Sequence, residues 1–241
     1  MSLVTLSCSV FVGSLCCIAT TAFTAHAQTA PTLDQIRQAY APAQHPVTVM
    51  LSGTFVSTDG STTQNGNTQL IVGSDGSYTA STIRTIGINV EQRQVGPATG
   101  SACLWQDAAG TQHDVDAGNC VVPAWFFPEL QVLSPASTSE WVVNSAAPSG
   151  IPHLLCTYSS AALPTATQPP TMDIALSPDT LLPENASFTL HPDGHSNVDV
   201  PVVISCKDYR LINGVMVPFR IQKTLNGTLV LDLTITSATV N

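Results

Sequence analysis

The chain has 241 residues, a net charge of −9, 44% hydrophobic residues and only 10% charged ones. So small and scattered a basic complement excludes nucleic-acid binding through clustered phosphate contacts and charge-driven docking on an anionic membrane surface. The apolar content is ample for a core and excludes global disorder.

Val10-Phe-Val-Gly-Ser-Leu-Cys-Cys-Ile18 is an apolar stretch, and Ala25-His-Ala27 after it has the small-x-small form that signal peptidase cuts behind. Residues 1–27 therefore read as an export signal, with Gln28 as the new N-terminus, residues 28–241 as one domain, and the periplasm or the outside of the cell as destination. No Lys or Arg precedes the stretch, so the α-amino group alone supplies the leading charge. An uncleaved anchor would need about 20 apolar residues, more than this run offers. Lipidation at Cys16 would need a small residue where Leu15 stands.

Thr32 to Ala41 predicts a helix. Thr32 caps, Gln35 follows three residues later, Leu33, Ile36 and Tyr40 recur on one face, and Pro42 closes it. From Val47 the period changes from near 3.6 to 2: Val47, Val49, Leu51 and Phe55, then Leu70 and Val72, a Ser74-Asp-Gly-Ser77 turn, Tyr78 to Ile83, and Ile86, Ile88 and Val90. Short alternating runs punctuated by Gly, Asn and Asp predict an antiparallel meander.

Beyond the leader stand four cysteines: Cys103, Cys120, Cys156 and Cys206. Four allow three connectivities, and none forms the C-x-x-C pair of a zinc knuckle or a thioredoxin-like site. Cys103 and Cys120 bracket a hairpin turning near Ala109-Gly110, which brings its ends together and predicts a disulfide between them. Cys156 and Cys206 stay open between a bond and two buried thiols.

Val121 to Leu133 is aromatic, with Pro123 and Pro128 barring one long helix. One or two short helices beginning at Pro123 and laid over the sheet are expected. Trp125, Phe126 and Phe127 there are either the lid of an apolar cavity or plain core. Ser159 to Pro170 is loop by composition.

The meander then resumes. Asp173 to Leu176 and Ala186 to Leu190 form a hairpin about a Ser177-to-Pro183 turn. Val198, Val200, Val202, Ile204 and Cys206 alternate on one face. Asn213-Gly214 turns into Val215, Val217, Phe219 and Ile221, and Asn226-Gly227 turns into Leu229, Leu231, Leu233 and Ile235. Asn-Gly supplies the positive φ angles of type I′ turns, whose twist matches the strands. The last two sets are expected to be buried on the single greasy face of the sheet.

Chemistry is harder to find. His191-Pro-Asp-Gly-His195 flanks a carboxylate with two imidazoles, but Pro-Asp-Gly is turn chemistry and i, i+4 histidines share a face only on a helix. His113-Asp114-Val-Asp116 lacks the spaced oxygens and closing Glu of a calcium loop. Gly-x-Ser-x-Gly, His-Glu-x-x-His and Ser-x-x-Lys do not occur. No catalytic residue, metal or cofactor is expected.

The Ser177-Pro-Asp-Thr-Leu-Leu-Pro183 turn, Lys207-Asp-Tyr-Arg210, Asn213-Gly-Val-Met-Val-Pro-Phe219 and the closing Asn-Gly hairpin come in the order seen in one superfamily. By these motifs the last third resembles the bacterial outer-membrane lipoprotein carrier LolA and its periplasmic lipid-binding relatives. The resemblance implies a mainly β fold: a single curved antiparallel meander, an unclosed half-barrel, with an N-terminal helix and a short central helical lid. It also implies a concave face that holds a lipid or acyl chain, lined here by Trp125, Phe126, Phe127, Phe219 and Ile221. The rival expectation is a structural protein of the envelope, whose half-barrel is simply filled.

Overall fold

The computed structural model describes residues 30–40, 47–84, 87–96, 100–115, 117–133, 141–159, 170–192, 195 and 197–241. The expected leader lies outside them, as do Ile86, Asp116, Asp193 and most of the 159–170 loop. Among the described residues no helix is long and apolar enough to cross a membrane.

Within the described residues thirteen strands form one open, curved antiparallel sheet: β1 Thr48–Asp59, β2 Thr62–Gly73, β3 Tyr78–Arg84, β4 Gly87–Gly96, β5 Gly100–Gln106, β6 Gln112–Asp114, β7 Trp141–Ala146, β8 His153–Tyr158, β9 Thr171–Leu176, β10 Pro183–Leu190, β11 Val200–Ile212, β12 Val215–Leu225 and β13 Thr228–Val240. Their spatial order is β6-β5-β4-β3-β2-β1-β13-β12-β11-β10-β9-β8-β7. The chain thus enters at the centre, steps outward by hairpins to one edge, crosses the whole sheet, and steps back from the other edge until β13 meets β1. Only the β6-to-β7 connection has to span the sheet. It carries α2 Ala117–Cys120 and α3 Pro128–Leu133 across the greasy face.

Local chemistry accounts for the elements. Thr32 and Gln35 form the expected capping box at the head of α1 Leu33–Tyr40: the Gln35 N–H donates to Thr32 Oγ1 at 3.3 Å, and the Thr32 N–H to Gln35 Oε1 at 2.8 Å. Ile36 and Tyr40 of that helix are buried. Both Asn-Gly turns take positive φ at both residues, 45° and 83° at Asn213-Gly214, 49° and 75° at Asn226-Gly227. At Gly53, where the β1–β13 register shifts, a Cβ would lie 2.1 Å from the Thr234 carbonyl oxygen. Only glycine lets the backbones approach so closely, and this is one place where the sheet bends.

The core is the space between sheet and crossover. Val49, Leu51, Phe55, Leu70 and Val72 face it from one wing, and Ile174, Ile204, Val215, Val217 and Leu233 from the other. Every residue from Cys120 to Leu133 is buried.

Four expectations are corrected. The helix expected from Pro123 begins at Pro128, which takes the first helical position, where a missing N–H costs nothing. Leu229 is 44% exposed and Leu231 half-buried, although Leu233 and Ile235 are buried as expected. The β12–β13 register slips by one: Lys223 pairs with Leu231 but Thr224 with Leu229, and an extra residue on one strand turns Leu229 to the other face. Val198 lies before β11 and is exposed, and Val200, at the strand's first position, is only half-buried. Ile88 is exposed too. Strand β7 was not anticipated, and of β8 only that Cys156 stands on a strand.

Candidate functional site

Where the crossover leaves the α2 turn, an apolar pocket of ≈ 250 Å³ opens between the two wings of the sheet. Tyr78, Leu104 and Trp105 line it from one wing, Phe188, Leu190 and Lys223 from the other, and Val122, Pro123 and Trp125 from the crossover. Two fasteners fix this part of the chain. Cys103 of β5 is bonded to Cys120 at the end of α2, with Cα atoms 5.6 Å apart, as the hairpin reading anticipated. The Asn119 side chain grips the end of β10 from both sides: its Nδ2 donates to the His191 carbonyl at 2.5 Å, and the His191 N–H donates to its Oδ1 at 3.1 Å. A disulfide to one wing and an amide clamp to the other hold the crossover at the pocket's rim.

The expected ligand-binding residues fall into three groups. Trp125 lines the pocket and meets Phe126 edge-on, ring centroids 5.4 Å apart. Phe126 and Phe127 are wholly buried beneath it; Phe126 packs edge-on against Tyr78 at 6.0 Å and Phe127 against Tyr40 of α1 at 6.1 Å. Phe219 and Ile221 are buried in β12, where Ile221 pairs with Cys206 and Leu233, and the Arg210 guanidinium lies 3.8 Å from the Phe219 ring centroid. The structure therefore brings the three crossover aromatics together and places the first of them on the wall of this pocket.

Sequence reasoning missed Lys223. It occupies the inward register of β12, with Ile204 and Leu231 opposite it on the flanking strands, and its Nζ lies 4.6 Å from the Trp125 ring centroid. The signal was present: Val215, Val217, Phe219 and Ile221 establish an apolar register, and the next member is a lysine.

It also missed a polar cluster inside the core. Glu129 of α3 is buried, and Tyr209 Oη donates to its Oε1 at 2.8 Å. The Tyr40 hydroxyl is buried with no hydrogen-bond partner among the described residues. Asp208 takes a left-handed conformation, φ 56°, tolerable for aspartate, and so interrupts the alternation. Cys206 and Tyr209, three residues apart, then both reach the cluster. Burial pushes the Glu129 carboxyl up to about 7, against the hydrogen bond from Tyr209. Burial also drives the Cys206 thiol and the Tyr40 and Tyr209 phenols well up, with the nearby carboxyl adding to it. The thiol and the two phenols are held neutral, and a thiol so placed is a poor nucleophile.

The other polar motifs are structural. Asp107 accepts from the Ala109 and Thr111 N–H groups, both at 2.9 Å, and closes the β5–β6 turn. Those bonds and His113 hold its carboxyl below the usual range despite some desolvation. His191 Nδ1 lies 3.1 Å from the Val198 carbonyl oxygen within its own loop. Among the described residues no three His, Cys, Asp or Glu side chains are placed to share a metal ion. Cys156 and Cys206 are free thiols. They lie on strands three apart in the sheet, roughly 14 Å at the usual strand spacing, too far for a bond.

No protein-family model matches the sequence, and no curated protein is similar to it. Solved structures similar to this chain include an outer-membrane lipoprotein-sorting protein domain from Vibrio parahaemolyticus, at 9% identity over 87% of this chain and 91% of that one, TM-score 0.52. A DUF1329 family protein from Desulfovibrio piger matches at 8% identity over 86% and 88%, TM-score 0.49. A LolA superfamily protein from Nitrosomonas europaea matches at 10% over 86% and 90%, TM-score 0.46. At these identities the likeness is one of fold, and the Vibrio domain carries it: the chain has the open half-barrel that its C-terminal motifs resemble.

Proposed function

We propose that this protein is an exported, non-catalytic carrier or binding protein that holds the acyl chain of a lipid or lipidated partner against the inner face of its half-barrel. The observation that carries the reading is the apolar pocket beside Trp125, bounded by both wings and held at its rim by the Cys103–Cys120 bond. A concave, mostly apolar site with one or two polar groups is the usual form of a small-ligand site. The likeness in fold to a lipoprotein-sorting domain agrees with it, as does the export signal read at residues 1–27. The periplasm is the compartment where such a fold and a disulfide belong together. Native mass spectrometry and lipid extraction of the purified protein test it. Co-purifying lipid, or saturable uptake of an added long-chain amphiphile, is expected; a protein that arrives empty and takes up none refutes it.

A second reading has its own observation. Phe126, Phe127, Leu130 and Leu133 fill the space under the crossover without exposed surface, as in a structural envelope protein with a solid half-barrel. On that reading the pocket stays dry and unoccupied in the same experiment.

A further inference from the structure

Lys223 is hard to account for as a structural residue. It stands on the greasy face of β12 between Ile204 and Leu231, in a position that an aliphatic side chain would fill without cost. Among the described lining residues it is the one ionised side chain, and none of them is a carboxylate. The ion pairs among the described residues use Arg37, Arg220 and histidines, and the partner that Lys223 has among them is the Trp125 ring. In a protein of net charge −9, an ammonium without a carboxylate partner at the edge of an apolar hollow is a prepared counter-charge.

We propose that Lys223 reads the head group of the bound lipid, and that the pocket takes a single-chain carboxylate, a fatty acid, with its chain against Trp125, Phe188 and Leu190. The proposal rests on the lipid-binding reading above and narrows it. Three features fix the class. The volume, ≈ 250 Å³, lies below the usual range for drug-sized ligands and fits one chain rather than a bundle of several. The sign of the head group follows from the lone cation. Its size follows from the donors: one compact ammonium suits a monovalent carboxylate, whereas phosphate is usually held by forked guanidinium groups or several backbone N–H donors. Asn119 also lines the pocket but has its amide committed to His191, leaving Lys223 to do the charge recognition.

The test is isothermal titration calorimetry of the purified protein at pH 8 with decanoate and decanol, which share a chain and differ in charge. Wild type should bind decanoate about tenfold or more tightly than decanol, the effect of a charge-assisted contact. Lys223→Met should abolish that preference, and Lys223→Arg should restore it. A thermal melt confirms that each variant is folded. If Lys223→Met keeps the preference, or if wild type binds acid and alcohol equally, the head-group assignment is wrong while the lipid-binding reading stands. If wild type binds neither, both fall.

Discussion

Replacing Glu129 with Gln should remove one fall in the protein's stability, the one between about pH 4.5 and 7. The carboxyl is buried on α3, and burial lifts it from 4.5 to about 7. Between those values the folded protein keeps a proton that the unfolded chain has released, so unfolding gives that proton up. Stability is therefore greatest below about pH 4.5, falls as pH rises through 7, and levels off above it, because the native state must then either bury a carboxylate or open. At about 1.4 kcal/mol per tenfold in proton affinity, the interval amounts to about 3 kcal/mol. Glutamine keeps the shape and still accepts from Tyr209 but has no proton to lose. Urea titrations of both proteins, followed by tryptophan fluorescence from pH 4.5 to 8, isolate the effect, since every other titrating group cancels in the difference. The variant should gain on wild type by about 3 kcal/mol across that interval. Parallel curves would show that Glu129 reaches water in the native state and would refute the argument.

Other perturbations separate the roles assigned above. Phe127→Ala should cost about 3–5 kcal/mol of stability, as for any fully buried aromatic, whereas Trp125→Ala should cost less and chiefly weaken binding of an added fatty acid; denaturant melts beside the calorimetric titration show which variant does which. Replacing Cys103 and Cys120 together by Ser should lower stability on the order of 3 kcal/mol, measured by the same melts and matched by reducing the wild type. Leu229→Ser should change stability by no more than about 0.5 kcal/mol, while Leu233→Ala, four residues along the same strand, costs about 2–5; equal losses would mean that the register slip at Thr224 is wrong.

What could be read from the residues depended on how far each was governed by its neighbours in sequence. The hairpins of β11 to β13 were legible because Asn-Gly and strict alternation are local signals, and so was the Cys103–Cys120 bond, whose ends one short hairpin brings together. Strands β7 and β8 were not, because adjacent apolar pairs such as Val142-Val143 and Leu154-Leu155 blur the period of 2. Val142 and Leu155 point outward and are exposed, which no pattern of the inner face foretells. The aromatic run was legible as buried, but its division between pocket wall and core depends on which ring meets Tyr40, Tyr78 or Lys223 from distant strands. Glu129 was invisible for a different reason. An acidic residue at a helix start reads as an ordinary partner of the helix dipole, and only the position of the crossover makes it interior.

The pairing of β1 with β13 has a consequence for the order in which the molecule can be made. Each wing is a ladder of neighbours, so β1 to β6 can zip as they appear, and β7 to β13 after them. The central seam is different: Val49 lies opposite Val240, and beyond them Thr48 and Asn241 exchange a reciprocal pair of backbone hydrogen bonds at 2.9 and 3.0 Å. Until β13 emerges, β1 is a bare edge whose unpaired N–H and C=O groups invite any passing strand. The closing step joins the most distant parts of the chain and is accordingly the slow one. A chain that emerges N-terminus first thus remains two unjoined wings, pliable and vulnerable to misassociation, until its final strand locks them into one sheet.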